Sequence, residues 1–182
     1  MLTDLQKRKL TRFFNVFDAD HNNVLTTEDP QQVAHNLGQL RGWQSGDEAY
    51  ATFELGFMQY WRDFLTLSDK DENGEVTLDE WLAYHDELLQ NENRFKQIVL
   101  LSAGMMFDLI DADGDGSITL EEYGSWMRAF RIDEGDITPE LFAKLDLNGD
   151  GTLSRAELIQ LTTDFYFSND PDNPGNWCMG PF

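Results

Sequence analysis

Four stretches of this 182-residue chain space oxygen-bearing residues in one recurring pattern, and the pattern suits a hard divalent cation. A loop that wraps calcium supplies side-chain oxygens from positions 1, 3 and 5 and a backbone carbonyl from 7. It adds a residue at 9 that often acts through water, a tight turn at 6 and a closing carboxylate at 12. DKDENGEVTLDE meets every requirement: Asp69, Asp71 and Asn73 at 1, 3 and 5, Gly74 at the turn, the carbonyl of Glu75, Thr77 at 9 and Glu80 at 12. DADGDGSITLEE repeats it with Asp111, Asp113, Asp115, Gly116, Ser117, Thr119 and Glu122. DLNGDGTLSRAE does so with Asp146, Asn148, Asp150, Gly151, Thr152, Ser154 and Glu157.

The earliest stretch, DADHNNVLTTED, is the least regular. Asp18, Asp20 and Asn22 hold 1, 3 and 5, Val24 offers its carbonyl and Thr26 sits at 9, but Asn23 replaces the turn glycine and Asp29 the closing glutamate. Asn accepts positive φ better than most residues, so the turn is expected to survive. Asp is one methylene shorter than Glu, which makes two-oxygen closure harder. Loss of that seventh oxygen narrows the preference for Ca²⁺ over six-coordinate Mg²⁺. Up to four calcium ions are therefore expected, with magnesium competing most at the first site.

Such loops need helices on both sides to aim them. Before the first loop Leu10, Phe13, Phe14 and Phe17 fall on one helical stripe; Met106, Phe107 and Ile110 do so before the third, and Leu141, Phe142 and Leu145 before the fourth. After the loops the stripe returns as Trp81, Tyr84 and Leu88, as Tyr123, Trp126, Met127 and Phe130, and as Leu158, Leu161 and Phe165. The loops start at Asp18, Asp69, Asp111 and Asp146, so the repeat tightens along the chain. Extra chain in the first connection includes RGWQSGDEAY, Arg41 to Tyr50, a linker into a long helix. Position 8 is apolar in every loop (Leu25, Val76, Ile118, Leu153), an offset that suits a short β-bridge between the first and second loops and between the third and fourth. The expected fold is all-α: four helix-loop-helix units in two pairs, residues 1–90 and 91–182, packed into one compact globule. In the tail, Phe165, Tyr166 and Phe167 extend the last stripe, and Trp177, Met179 and Phe182 supply apolar surface that would be sticky unless folded back across the helices.

Composition narrows the function classes. A net charge of −21, with 13 Lys and Arg against 34 Asp and Glu, makes nucleic acid and anionic membranes poor partners and cations natural ones. Four divalent ions would reduce that charge to about −13, relieving self-repulsion. The three histidines, His21, His35 and His85, lack zinc spacing, and the lone Cys178 has neither a disulfide partner nor a Cys-His pattern. No nucleophile elbow, phosphate-binding Gly loop or HExxH run points to catalysis. Without a long apolar run or a disulfide framework, the expectation is a monomer of the cytosol with no stable membrane insertion, its protein target unspecified.

Loops with helical flanks place the chain, by resemblance, in the EF-hand superfamily. The closing segment DFYFSNDPDNPGNWCMGPF, Asp164 to Phe182, resembles the tail of invertebrate sarcoplasmic calcium-binding proteins and of their calexcitin- and calerythrin-like relatives. That resemblance implies a compact, aromatic-rich calcium and magnesium buffer, in a family where some hands are often degenerate; here none is clearly lost. A sensor that opens an apolar groove to a protein target, and a coelenterazine-type carrier, are the alternative expectations.

Overall fold

The computed structural model describes residues 1–44, 46–132 and 139–181; Ser45 of the linker and Phe182 of the tail lie outside the described residues. The first hand is α1 (Asp4–Phe17), a loop and α2 (Glu28–Leu40); the second is α3 (Glu48–Ser68), a loop and α4 (Leu78–Leu89). The third enters through α5 (Glu92–Phe95), a π-helical turn (Lys96–Leu100) and α6 (Leu101–Ile110), and leaves through α7 (Leu120–Ala129). The fourth is α8 (Pro139–Leu145), a loop and α9 (Arg155–Phe167), followed by a 3₁₀ turn, Pro174–Trp177.

Each loop contributes a two-residue strand: β1 (Val24–Leu25), β2 (Val76–Thr77), β3 (Ser117–Ile118) and β4 (Leu153–Ser154). β1 pairs with β2 and β3 with β4, both antiparallel, and the register sets Leu25 opposite Val76 and Ile118 opposite Leu153. All four of these position-8 side chains are buried, so each bridge joins two loops by backbone hydrogen bonds and roots them in the core.

The helical stripes meet in one aromatic core that crosses between the two halves. Phe17 of the first hand lies 4.3 Å from Trp61 of the second and 5.0 Å, edge-on, from Phe130 beyond the third. Trp81, fully buried, receives Phe13, Phe14 and Phe64 edge-on and donates its indole N–H to the Leu10 carbonyl. One member of the sequence stripe departs: Phe167 is 40% exposed, because α9 ends there and its last turn presents that side chain outward beside Phe95.

The tail packs back on the molecule. Lys9 of α1 is wholly buried, and its ammonium donates to the Ser168 carbonyl at 2.9 Å, to Asn176 Oδ1 at 3.0 Å and to the Asp164 carbonyl at 3.4 Å. It thus caps the C-terminal carbonyls of α9, where a cation is favoured. Gln6 adds a bond to the Tyr166 carbonyl, Arg12 one to that of Met179, and Tyr123 one to that of Cys178. No helix among the described residues is long and apolar enough to cross a membrane.

Candidate metal centre

The four loops build their sites by the same local moves. The position-6 N–H donates to the position-1 carboxylate in each: Asn23 to Asp18 and Gly74 to Asp69 at 2.9 Å, Gly116 to Asp111 at 3.0 Å and Gly151 to Asp146 at 2.7 Å. That curl needs positive φ at position 6, and Asn23 adopts it at 68° beside 86°, 89° and 92° for the three glycines. Position-3 oxygens of Asp20, Asp71, Asp113 and Asn148 accept from the position-5 N–H, and those of Asn22, Asn73, Asp115 and Asp150 from the position-7 N–H. These bonds turn the oxygens toward the inside of the loop. Val24, Glu75, Ser117 and Thr152 stand at position 7, at or immediately before the strands.

Closure comes from the exiting helix. Thr77, Thr119 and Ser154 are the N-caps of α4, α7 and α9, and each shares a reciprocal capping box with the glutamate three residues on. Position 12 is therefore fixed by helix geometry as well as by the loop. Glu80, Glu122 and Glu157 each bridge two backbone amides, those of positions 2 and 9: Lys70 and Thr77, Ala112 and Thr119, Leu147 and Ser154. Asp29 bridges the equivalent pair, accepting from Ala19 N at 2.9 Å and from Thr26 N at 2.8 Å. In this loop α2 begins at Glu28, with Thr27 as N-cap. Asp29 thus reaches the same two amides as the longer glutamates do.

Among the described residues carboxylate oxygens converge within 4.8 Å in three places: Asp18, Asp20 and Asp29; Asp69, Asp71 and Glu80; Asp111, Asp113 and Asp115. The fourth loop, with Asn148 at position 3, forms no such triplet among the described residues. The first cluster is the most buried, with Asp18 at 3% and Asp29 at 4% exposure. Burial first, and then the neighbouring Asp20 and Asp18, raise the pKa of Asp29, against the hydrogen bonds from Thr26 and Ala19. Carboxylates gathered in this way call for a positive charge. A set of aspartate, asparagine and carbonyl oxygens, with no thiolate or imidazole in it, fits a hard cation such as calcium.

Beyond the loops, two arginines that spacing alone does not single out touch them. Arg41 Nη1 donates to the Ala112 carbonyl at 3.0 Å, and Arg131 Nη1 to the Ala19 carbonyl at 2.9 Å.

Comparison with known proteins agrees with this geometry. Residues 102–163 match the EF-hand domain pair. The third and fourth hands thus form an EF-hand domain pair. Calerythrin of Saccharopolyspora erythraea is 24% identical over 169 residues, 92% of this chain and 95% of the relative. The sarcoplasmic calcium-binding protein from amphioxus shares the fold over the full length of both chains, with a TM-score of 0.78 at 20% identity. The calcium-loaded apo form of the coelenterazine-binding protein from Renilla muelleri covers 97% of each chain, with a TM-score of 0.72 at 22% identity.

Proposed function

We propose that this protein is a calcium buffer: its loops take up Ca²⁺, with Mg²⁺ competing, while its helices stay mutually buried. The residues that hold the ions are Asp18, Asp20, Asn22, Val24 and Asp29; Asp69, Asp71, Asn73, Glu75 and Glu80; Asp111, Asp113, Asp115, Ser117 and Glu122; and Asp146, Asn148, Asp150, Thr152 and Glu157. Carboxylates, amide oxygens and the position-7 carbonyls replace the ion's water, and the position-12 carboxylate closes the shell as its helix seats.

The observation that carries the buffer reading is the continuous core between the halves. Phe17 packs on both Trp61 and Phe130, and the tail ties α1 to α9 through Lys9. A sensor instead opens separate lobes onto Met-rich grooves. Opening here would expose rings that pack across all four hands.

The carrier reading has less support. The cavity inside the core, lined by Trp61, Trp81, Tyr123 and their neighbours, has a volume of about 120 Å³. Pockets for drug-sized ligands run to about 300–1,000 Å³. Among the described residues Trp61 Nε1 has no hydrogen-bond partner, and the space is too small for a drug-sized ligand.

Calorimetric titration with calcium, with and without magnesium, and a parallel titration with a dye that fluoresces on apolar surface test the proposal. Buffering requires saturable calcium uptake, weakened by magnesium, with a flat dye signal. A large calcium-induced rise in dye fluorescence would make the protein a sensor.

A further inference from the structure

The exiting helices of the first and third hands, α2 and α7, pack against each other, and Asn36 Nδ2 donates across them to the Ala129 carbonyl at 2.8 Å. Each is followed by an arginine that leaves its own hand. Arg41, after α2, reaches the third loop: it donates to the carbonyls of Ala112 at 3.0 Å and Asp111 at 3.5 Å, and also to that of Leu109. Arg131, after α7, reaches the first loop at the Ala19 carbonyl, 2.9 Å away. Arg131 does so with φ at +56°, a region costly for a residue with a side chain.

The two contacts are reciprocal and fall on equivalent atoms. Ala19 and Ala112 are both position 2 of their loops, and each N–H is the one that meets its own closing carboxylate, Asp29 at 2.9 Å and Glu122 at 2.7 Å. One residue in each loop is thus gripped at its N–H by its own hand and at its carbonyl by the opposite half. Arg41 is the C-cap of α2 and Arg131 follows Phe130, the C-cap of α7; after α4 and α9 the C-cap and next residue are Gln90 and Asn91, and Ser168 and Asn169, with no arginine.

From this reciprocity we infer that Arg41 and Arg131 are positioning residues that couple ion binding at the first and third loops across the two halves; the inference rests on the cation-binding reading of those loops. Asp29 and Arg41 lie on the same helical arm, as do Glu122 and Arg131. Seating the closing carboxylate in one hand therefore fixes the arginine that orders the other loop. A loop ordered beforehand loses less entropy when it closes on its ion, so the coupling is positive, and linkage makes it equal in both directions.

Site-resolved NMR titration of the full chain with calcium chloride tests this. The amides of Asn23 and Gly116 report the first and third loops, and those of Gly74 and Gly151 report the other two. Asp18→Ala, which removes a ligand from the first loop, should raise the calcium midpoint at Gly116 by about fivefold or more, the lower range of ordinary allosteric coupling. In a chain carrying Arg41→Gln and Arg131→Gln, the same substitution should move that midpoint by less than about twofold. Retained responses at Gly74 and Gly151 establish that the double variant is folded. In calcium-free protein the two arginine substitutions should also speed hydrogen exchange at Ala19 and Ala112. An unchanged Gly116 midpoint in Asp18→Ala, a shift that persists without the arginines, or unchanged exchange would each overturn the coupling. If Asn23 and Gly116 show no saturable response at all, the cation reading falls and the coupling with it; if they respond independently, only the coupling falls.

Discussion

Gly175 is the point at which the tail can be pried off its seat with one methyl group. A Cβ added there would lie 2.7 Å from the Leu161 carbonyl oxygen, 2.7 Å from Asp164 Cβ and 2.8 Å from Phe165 N. Two of those atoms are α9 backbone and cannot rotate away, so in Gly175→Ala the 3₁₀ turn must lift by roughly an ångström to regain ordinary contact. That movement strains the Lys9 bond to Asn176 and the Tyr123 bond to the Cys178 carbonyl, each 3.0 Å long. Overpacking costs about 1–3 kcal/mol, and a weakened hydrogen bond to a charged group adds to it. A total of about 3 kcal/mol corresponds to a fall in Tm of roughly 6–12 °C for a chain of this size. The tail carries its own reporter. Cys178 keeps partial exposure but lines the central cavity, and burial, with the Asp164 carboxylate adding and Lys9 opposing, pushes its thiol from the ordinary 9 up to about 12. Thiolate is the reactive form, so at pH 8 an undocked tail should be alkylated by iodoacetamide up to about 1,000-fold faster than a docked one. Thermal melts and alkylation kinetics of Gly175→Ala against the parent chain measure both effects. A Tm within a degree of the parent, together with unchanged alkylation, would refute the packing argument.

Two further outcomes follow from buried groups. His85 is fully buried against Trp81 and Tyr166, and burial lowers its pKa from 6.5 to about 4, partly offset by its bond to the Trp81 carbonyl. The unfolded chain therefore binds a proton that the folded chain refuses as pH falls from about 6.5 to 4, so stability is lost on acidification through that window. Between pH 7 and 5.5 the loss from this group is about 1 kcal/mol, a few degrees in Tm. His85→Phe should flatten that slope in pH-dependent melts, and a slope unchanged by the substitution would place the proton elsewhere. Asp29→Glu adds a methylene to a carboxylate that already bridges Ala19 and Thr26, so it should destabilise the apo protein by about 1–3 kcal/mol. It should leave the calcium-to-magnesium affinity ratio of the first site no higher than before; a clear rise in an NMR titration would restore the argument from side-chain length.

The loops were legible in the sequence because twelve contiguous residues contain nearly all of their geometry: spacing sets the oxygens, and Gly or Asn permits the turn. Pairing of Leu25 with Val76 and of Ile118 with Leu153 was legible for a related reason, since one offset repeated in every loop marks an edge with a partner. Helical spacing also identified the stripes that became the core, because a helix with 3.6 residues per turn displays its buried face locally. It could not say what each face meets. That Phe17 joins Trp61 to Phe130, and that Phe167 faces outward, depends on where other helices end. In sequence Lys9 is one cation in the run KRK, and only the end carbonyls of α9 and Asn176, more than 150 residues away, make its burial tolerable. The shortened side chain of Asp29 was visible as a residue type, but its hold on both the Ala19 and Thr26 amides was not, because that depends on how the loop backbone and the start of α2 are placed in three dimensions. Arg41 and Arg131 lie outside every motif, and their grip on the opposite loops exists only because packing brings the ends of two helices beside loops about seventy and about one hundred and ten residues distant. Chemistry confined to a dozen residues is written in order along the chain; contacts made by the far ends of packed helices are settled by the sum of the packing between them.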